Sequence, residues 1–560
     1  MKNGSNINLL DTYTKSKNLV FQYFDDDNSG AVSKSLIPVI VRVGALLCLY
    51  LALHWWFGHA ADMPESSYYK TFIFFEIVKN LGLKEILFLF LVLFTLASYN
   101  RKIIWKSWSD FADSDRLRIF ITFVAALLAW SYSTYGFNFY FKEEHYLDRI
   151  FLVLLAITIY WKPGFVFPFL ALLGAVIHQF DFPFGTGFAR PMDNLLTGTL
   201  TIFAASYILN GLTGNRNNRD FLFLVCCLLA AHYWWPGFGK LKLNWITHGH
   251  LYLLPMASYA HGWLAFLDPM DIVNFAELQI WLDWPMIMVT LALEWGALFA
   301  LWRRSLFKWM ILGWILFHVG VFINTGYFFW KWVALEAALL ILFFKNSLPA
   351  VHIFDRRYFA VSLVLIGGVI FWFRPAALAW YDTPLSYTYR IEAVGESGKI
   401  YELPPEFFQP YSDIFAFCNF GYLLETPQLV GPYGATGSRQ TAASLLKVKT
   451  ADQVFKMEAE KRPRRLSAKR LENFDNFFKQ YIRNFNHRLG WRFMFNSLQS
   501  PPVFMTFPKK QAFHGEEPIK TVIVNQVTTL FDGSRLKVVR DIIARQIQIP
   551  KLEKGYRWKQ

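Results

Sequence analysis

Residues 221–231 read FLFLVCCLLAA, an unbroken apolar run that follows the charged pair Arg219 and Asp220. Apolar blocks of roughly 15 to 25 residues recur along the chain and are separated by short charged loops. A helix that crosses a bilayer needs about 20 largely apolar residues, so this pattern predicts a polytopic integral membrane protein. Apolar residues make up 54% of the 560 positions and the mean hydropathy is +0.27, which is typical of this class.

Block lengths and flanking charges predict an all-α polytopic membrane bundle of about 11 transmembrane helices, some of them short or re-entrant. Lys162-Pro163-Gly164 separates two short blocks, which form either two spans or one re-entrant pair. Residues 246–280 are expected to form either interfacial helices or an additional pair of spans. The predicted spans lie near residues 37–58, 82–98, 117–138, 147–161, 163–180, 195–213, 220–236, 281–302, 307–326, 331–345 and 358–374.

The chain is predicted to have three parts: a polar N-terminal segment at 1–35, a transmembrane domain at 36–375 and a small basic α+β extramembrane domain at 376–560. From residue 381 onward there are 27 Lys and Arg against 17 Asp and Glu. The N-terminal segment lacks the pattern of a removable signal peptide, so the first span is expected to direct its own insertion. Within the last part, strands are predicted at 386–396, 398–403, 502–507 and 521–530, and a basic helical stretch at 451–485.

The distribution of lysine and arginine among the loops predicts the orientation. If the N-terminus is cytoplasmic, the loops around Arg101, Arg219 and Arg303 face the cytoplasm and the alternate loops carry far fewer basic residues, as the positive-inside rule requires. His145, Lys240 and the C-terminal domain then share the outer face. We therefore expect a multi-pass protein, in the inner membrane if the source is bacterial, with membrane lipids and a protein partner or protein substrate of the C-terminal domain as partners, and no nucleic acid.

No pattern in the sequence indicates a metal or haem site. The four cysteines show no zinc or disulfide spacing, and His248 with His250 is on its own a weak metal signal. The stretch Asp25 to Gly30 begins like a calcium loop, but Leu36 stands where a bidentate glutamate is needed. An acidic turn before the first span is the favoured interpretation, and neither metal nor haem is expected.

Lys240 closes the seventh predicted span, shortly after Pro236-Gly237. At a membrane boundary a lysine side chain usually extends its ammonium group to water. If a break at Pro236-Gly237 instead turns Lys240 into a pocket, desolvation favours the neutral amine, which is then a usable general base near neutral pH. Both interpretations remain open at this point.

Three further polar residues, Glu294, His318 and Glu336, fall inside apolar blocks, and Asn324 follows His318 by six positions. Ionisable groups are costly in lipid, so each is expected to face the bundle interior and to have a partner. The structural alternative is a Glu to His hydrogen bond that joins two helices. His145, beside a predicted span, is on its own an ordinary interfacial histidine.

Three segments that contain these residues resemble the vitamin K-dependent gamma-carboxylase and its bacterial relatives, which share the so-called horizontally transferred transmembrane domain. The first is the pattern of Tyr233, Gly237, Lys240-Leu241, Trp245 and Gly249, the second is Glu144-His145-Tyr146-Leu147, and the third is Leu293-Glu294 followed by Phe317-His318 and Asn324. The likeness covers approximately residues 36–375.

The resemblance implies a membrane enzyme whose cosubstrate is a lipid, a reduced vitamin K-type naphthoquinol such as menaquinol. Lys240 falls on the family's catalytic base and His145 on a functional histidine that assists carboxylation. His318, Asn324, Glu294 and Trp245 are expected to line the quinone or glutamate pocket. In the family's reaction the deprotonated quinol reacts with oxygen to give a strong base, a glutamyl carbanion captures carbon dioxide, and the quinone leaves as its epoxide.

The sequence also departs from the family. Glu144 replaces an asparagine, Gly239-Lys240 replaces a pair of lysines, and the part after residue 375 is much shorter than the family's lumenal portion. Two alternatives therefore stay open: a non-catalytic membrane scaffold or lipid-binding subunit that docks a partner through its C-terminal domain, and a membrane acyltransferase that uses His318.

Overall fold

A computed structural model describes residues 35–87, 89–90, 108, 115–134, 138–141, 145–184, 189–213, 218–344, 353–488 and 498–550. The Asp25 to Gly30 stretch, Glu144 and most of the span predicted at 82–98 lie outside these residues. The described part of the chain is mostly helical and ends in a small antiparallel sheet.

The first two thirds of the described chain contain only helices and their connections. Single turns of tighter helix lie at Glu65–Tyr69, Pro163–Phe165, Leu251–Leu253 and Ala297–Trp302, and a wider turn at Leu340–Phe344. The α-helices are α1 (Ile37–Ala61), α2 (Ile73–Asn80), α3 (Asp115–Ser133), α4 (Tyr146–Ile159), α5 (Val166–Gln179), α6 (Ala189–Thr213), α7 (Arg219–Lys242), α8 (Trp245–His248), α9 (Leu254–Ala260), α10 (Pro269–Gly296), α11 (Arg304–Thr325), α12 (Trp330–Leu339), α13 (Arg356–Gly367) and α14 (Val369–Trp372).

Six described helices are long and apolar enough to cross a membrane, which fits a multi-pass membrane protein. They are α1, α3, α6, α7, α10 with its following turn, and α11. The predicted number of about 11 spans is not confirmed. One reason is length: α4 has 14 residues, and at 1.5 Å per residue such a helix reaches about 21 Å, short of a hydrocarbon core of about 30 Å.

Residues 246–280 do not form an additional pair of spans. They contain the short helices α8 and α9 and then the first turns of α10. The α10 helix begins after Asp268, whose carboxylate accepts a hydrogen bond from Met270 N at 2.8 Å, and Pro269 occupies the first helical position. Both are ordinary helix-start signals, so α10 begins well before the predicted span at 281.

Burial differs sharply among the long helices. In the most apolar 18-residue stretch of α6 and of α7, 83% of the residues are buried. In the corresponding stretches of α10 and α11, 39% and 28% of the residues are buried. The first two helices therefore form the centre of the bundle. The other two lie at its edge, with many apolar side chains facing outward, as lipid-facing helices do.

A buried polar cluster joins α3, α6 and α12. Lys331 Nζ donates to Asp193 Oδ1 at 2.6 Å, and the Tyr132 hydroxyl donates to Asp193 Oδ2. Next along α12, Trp332 Nε1 donates to the Met192 carbonyl at 2.7 Å. An ion pair in this environment is stable only when both partners are present, because either charge alone is costly to bury.

The C-terminal part contains a four-stranded antiparallel sheet in the order β2-β1-β3-β4. The strands predicted at 386–396, 398–403 and 521–530 are confirmed, whereas residues 502–507 form no strand and contribute only an isolated bridge from Phe504 to Tyr327. The described elements are β1 (Leu385–Gly395), β2 (Ile400–Glu402), α15 (Ser412–Phe417), α16 (Arg439–Leu445), α17 (Ala451–Ala459), α18 (Ala468–Asn486), β3 (Ile519–Phe531) and β4 (Leu536–Gln548), with tight turns at Pro405–Phe408, Gly421–Leu423 and Pro432–Gly434.

The single helical stretch predicted at 451–485 is two helices, α17 and α18. Pro463 lies between them, and a proline inside a helix removes a backbone donor and clashes with the preceding turn. The Ser467 hydroxyl then accepts from Arg470 N at 3.4 Å and starts α18. The apolar face of α18, with Phe474, Phe477 and Phe478, is buried.

The C-terminal part packs directly against the ends of the bundle helices. Asn138 Nδ2 donates to the Tyr411 hydroxyl at 2.9 Å, and Phe328 N donates to the Val503 carbonyl at 2.8 Å. At Gly326, which ends α11 with φ +72°, an added Cβ would lie 3.0 Å from the Met505 carbonyl oxygen. The predicted boundary at 375/376 therefore separates two parts of the chain that share contacts.

Replacing Lys331 with methionine is expected to lower the free energy of unfolding by about 3 kcal/mol, because Asp193 would be left as a buried carboxylate without its cation. Thermal unfolding of the detergent-solubilised protein measures the change. Lys242→Met, at an exposed position on α7, is the matched control and should leave the midpoint almost unchanged. Equal midpoints for both variants would contradict the role assigned to the cluster.

Candidate functional site

A cavity of about 580 Å³ lies between α7, α10 and α11 and is closed on one side by residues of the C-terminal part. Its wall is mostly aliphatic and aromatic, with a few polar groups at defined places, as is usual for pockets that bind small molecules. The polar and ionisable side chains in the wall are His232, Lys240, Thr290, Glu294, His318, Asn324, Thr325 and Asp382, together with tyrosines 233, 327 and 433.

Lys240 and Glu294 form a buried ion pair in this wall, in which Lys240 Nζ donates to Glu294 Oε1. The ammonium nitrogen also lies 5.0 Å from the centroid of the Trp245 ring, a cation–π contact. Trp245 is itself fixed, because its indole N–H donates to the Trp380 carbonyl at 2.8 Å. Glu294 Oε2 has no hydrogen-bond partner among the described residues.

The close approach of α7 and α10 depends on Gly237. A Cβ at this position would lie 2.7 Å from Glu294 Cβ and 2.8 Å from Trp295 Cδ1. Trp295 Nε1 donates to the Gly237 carbonyl at 2.8 Å, which ties the two helices together next to the ion pair. Only glycine leaves room for this contact.

Lys240 faces the cavity without any break in its helix. The α7 helix continues through Pro236 to Lys242, so the break that the sequence analysis considered at Pro236-Gly237 does not occur. Tyr233, Pro236 and Lys240 are three and four residues apart and all line the cavity. This spacing places them on one face of a helix, which explains how Lys240 turns inward.

His318 belongs to a second polar group on the cavity wall. The Tyr233 hydroxyl donates to Glu336 Oε1 and lies 3.3 Å from His318 Nδ1, and His318 Nδ1 is 3.8 Å from Glu336 Oε2. Tyr233 stacks on Trp314 with ring centroids 4.2 Å apart. The structural alternative predicted from the sequence is a hydrogen bond between a glutamate and His318 that joins two helices. The glutamate beside His318 is Glu336, and Tyr233 contacts both of them. Glu294 is instead paired with Lys240.

Asn324 lines the same cavity but uses its amide within the bundle. Its Oδ1 accepts from Gln279 Nε2 on α10, and its Nδ2 donates to the Gly320 carbonyl at 2.8 Å. The bond to Gln279 holds α10 and α11 together at the cavity wall. The hydrogen bonds of Asn324 make it a fixed part of the wall.

His145 is placed in a different cluster and is not among the described residues that line the cavity. Its Nε2 is 2.9 Å from Gln179 Nε2, and its Nδ1 is 3.6 Å from Asp148 Oδ2. Asp148 in turn accepts hydrogen bonds from Ile73 N at 3.0 Å, at the start of α2. Burial lowers the pKa of the His145 imidazole. The surroundings of His145 are thus those of a structural residue, and its catalytic role stays a prediction.

Asp382 is a cavity residue that the sequence analysis missed. It is 2% exposed, it accepts from Trp380 Nε1 at 2.9 Å through Oδ1, and its Oδ2 has no hydrogen-bond partner among the described residues. Burial raises the pKa of Asp382 to about 7, against the hydrogen bond from Trp380 and the charge of Lys240, which lower it. Nothing in the stretch Trp380-Tyr381-Asp382 marks this aspartate, because it comes to the cavity from a segment that is remote in sequence.

Comparison with family models, curated proteins and solved structures found no match to this chain. The likeness to the carboxylase family therefore rests on the motif residues alone. Of the six residues singled out from those motifs, the structure brings five to one cavity: Lys240, Trp245, Glu294, His318 and Asn324.

Gly237→Ala is expected to destabilise the protein by about 1 to 3 kcal/mol, because the new methyl group overlaps the Glu294 side chain and forces α7 and α10 apart. The thermal midpoint in detergent should fall by several degrees. Gly44→Ala on α1 is the control, because a Cβ there meets no atom within 4 Å and alanine favours a helix over glycine. A midpoint for Gly237→Ala at or above that of the control would show that the close contact is not needed.

Proposed function

We propose that this chain is a membrane-embedded enzyme of the gamma-carboxylase type, in which Lys240 removes a proton from a lipid quinol bound in the cavity. The observation that carries the proposal is the Lys240–Glu294 pair, buried in the wall of a mostly apolar cavity. Ionisable residues inside a membrane-spanning bundle are costly to bury and are therefore candidates for a functional site.

The cavity is placed to receive a ligand from the bilayer. Leu282, Val289 and Leu316 line it and are also 49%, 58% and 62% exposed on the outer faces of α10 and α11. The side of the cavity between these two helices is therefore open toward the region that lipid would occupy. A ligand with a long apolar tail can enter here without leaving the hydrocarbon.

The residues present fit a reduced naphthoquinone. A volume of about 580 Å³ is within the range of roughly 300 to 1,000 Å³ typical of small-molecule pockets. Apolar walls suit the flat ring system, and Lys240, Glu294 and Asp382 are polar groups that can bind its hydroxyls. When bound, the quinol supplies an acidic hydroxyl and the reducing equivalents of the reaction.

Lys240 can accept a proton only as an uncharged amine. Glu294 is bonded to it directly, so the proton can pass from Nζ to the carboxylate and leave a neutral amine beside a neutral acid. In an apolar wall two neutral groups are cheaper to bury than two charges. Glu294 is therefore a positioning and proton-holding residue for Lys240, and the hydroxyl proton of the ligand moves to the amine nitrogen.

The reaction would take place at the membrane face where the C-terminal part lies. We propose, with the charge pattern of the loops as support, that the N-terminus is cytoplasmic and that the C-terminal part is extracytoplasmic. If the source is bacterial, the membrane is the inner one. A protein substrate or protein partner would meet the C-terminal part, which completes the cavity through Trp380, Asp382 and Tyr433.

One alternative has an observation in its favour. A non-catalytic lipid-binding subunit would keep Lys240 permanently ion-paired, as the contact with Glu294 allows, and would need no His145 in the cavity. Enzyme and lipid carrier differ in whether the ligand is chemically changed.

Lys240→Ala is expected to reduce quinone epoxide formation by at least 100-fold, because general-base catalysis contributes about 10² to 10⁴ to a rate. The assay supplies the purified protein in detergent with menaquinol, oxygen and bicarbonate and detects the epoxide. Lys242→Ala, which removes the exposed lysine of the same helix end, is the matched control and should retain activity. Equal epoxide from the wild type and Lys240→Ala would refute the base assignment, and bound but unchanged menaquinol would favour the lipid carrier.

Gly320→Leu tests the route of entry from the lipid side. Gly320 lines the cavity on α11 and a Cβ there meets no atom within 4 Å, so a leucine side chain can fill the space without displacing its neighbours. We expect menaquinol binding to weaken about tenfold or more while the thermal midpoint is kept. Gly44→Leu, equally unhindered on α1 and outside the cavity wall, should bind normally. Unchanged binding in Gly320→Leu would place the ligand elsewhere.

A further inference from the structure

Three polar atoms in the cavity wall lack a hydrogen-bond partner among the described residues, and all three are acceptors. They are His232 Nε2, Glu294 Oε2 and Asp382 Oδ2. Each belongs to a side chain that is almost completely buried. A buried polar atom without a partner lowers stability, so a ligand that supplies the missing partner binds with that energy in its favour.

The tautomer of His232 follows from its neighbour. His232 Nδ1 is 2.8 Å from the Leu228 carbonyl oxygen, which can only accept a hydrogen bond. Nδ1 must then carry the proton, and in the uncharged imidazole Nε2 is left as an acceptor. Glu294 Oε2 is likewise an acceptor, since the carboxylate uses Oε1 for Lys240.

Asp382 is held rigidly in place by both halves of the structure. Trp380 Nε1 fixes its Oδ1 at 2.9 Å, and Tyr381 exchanges backbone hydrogen bonds of 2.8 and 3.0 Å with Thr436. The Tyr381 hydroxyl donates to the Leu243 carbonyl just after α7. The carboxyl group of Asp382 is therefore fixed in the cavity wall, with Oδ2 left without a donor among the described residues.

The described residues of the cavity wall offer too little positive charge to bind an anionic ligand beside these acceptors. Lys240 is the single lysine or arginine among the described lining residues, and its ammonium is engaged by Glu294 and by the Trp245 ring. An acidic head group, such as a carboxylate or a phosphate, would meet Glu294 and Asp382 with no free cation to pair with it. The Lys240–Glu294 pair has no net charge, so an anionic head group would be buried without a counter-ion beside the Asp382 carboxylate, which is strongly unfavourable.

We propose that the cavity selects an uncharged lipid whose head group donates hydrogen bonds, that it rejects acidic lipids, and that Asp382 is the residue from the C-terminal part that enforces this choice. The proposal rests on the proposed function only in assigning the cavity to a lipid. Asp382 acts as a binding residue that accepts a donor of the head group. Above its pKa of about 7 the carboxylate is ionised, and its negative charge repels anionic head groups.

Hexadecanol and palmitate, which share a chain length and differ in head group, are the probes. Binding is measured at about pH 9, above the pKa of Asp382, with full-length protein in nanodiscs of uncharged lipid, after subtraction of the binding to empty nanodiscs. The wild type should bind hexadecanol at least tenfold more tightly than palmitate. In Asp382→Asn, which keeps the shape and removes the charge, palmitate binding should improve so that the ratio falls at least fivefold. In Asp382→Leu, hexadecanol binding should weaken about tenfold, the size of a lost hydrogen bond to a charged group.

Asp452→Asn, at an exposed carboxylate in the first turn of α17, controls for the loss of one negative charge and should keep the wild-type ratio. A wild-type protein that binds palmitate as tightly as hexadecanol overturns the proposal, as does an unchanged ratio in Asp382→Asn. If Asp382→Leu does not fold, the binding ratio of the isosteric Asp382→Asn variant still tests the proposal. Selective binding of hexadecanol without epoxide formation would support this inference and contradict the proposed enzyme activity. Epoxide formation without selective binding would support the enzyme activity and contradict this inference.

Discussion

The ion pair between Lys240 and Glu294 is the interaction on which the arrangement of the site depends. An unpaired ammonium or carboxylate inside an apolar bundle is very costly, so each of these residues requires the other. The pair in turn requires that α7 and α10 approach closely, which only a glycine at 237 permits. It also requires that α7 remain a helix through Pro236, because Lys240 then lies on the same face as Tyr233. A short stretch of α7 thus fixes the position of the cavity.

Several elements of the fold could be predicted because their signals are local. Apolar block length indicates a spanning helix directly. The β-branched and aromatic residues that are frequent in β1 and β3 indicate strands. The number of spans was not predictable in the same way. The 14 residues of α4 form an apolar helix too short to cross, and whether such a helix is tilted, re-entrant or packed inside the bundle depends on its neighbours. β4 was missed because it carries Lys537, Arg540 and Arg545 among its apolar residues, so it lacks the apolar character of an ordinary strand.

Some residues of the candidate site could likewise be predicted from the sequence, and others could not. Lys240, Glu294 and His318 could be found because an ionisable residue inside an apolar block is conspicuous, and the structure places all three at one cavity. Their partners could not be deduced, since pairing depends on helix contacts: Glu294 binds Lys240, whereas His318 lies beside Tyr233 and Glu336. His145 was grouped with Lys240 because both were assigned to one membrane face, but sharing a face does not bring two side chains into contact. Asp382 was missed because nothing near it in sequence distinguishes it from a surface aspartate.

The contribution of Trp380, Asp382 and Tyr433 to the cavity has a consequence for the order in which the protein is made. Lys240 and Glu294 leave the ribosome well before the residues that close their surroundings, and Trp245 reaches its hydrogen-bond partner only when the Trp380 segment has arrived. During this interval α7 and α10 can pair, but the cavity beside the ion pair lacks the wall residues that the C-terminal part contributes. The cavity is therefore completed last, when the C-terminal part packs on the bundle, and a nascent chain that stops before this step contains the ion pair without its complete surroundings.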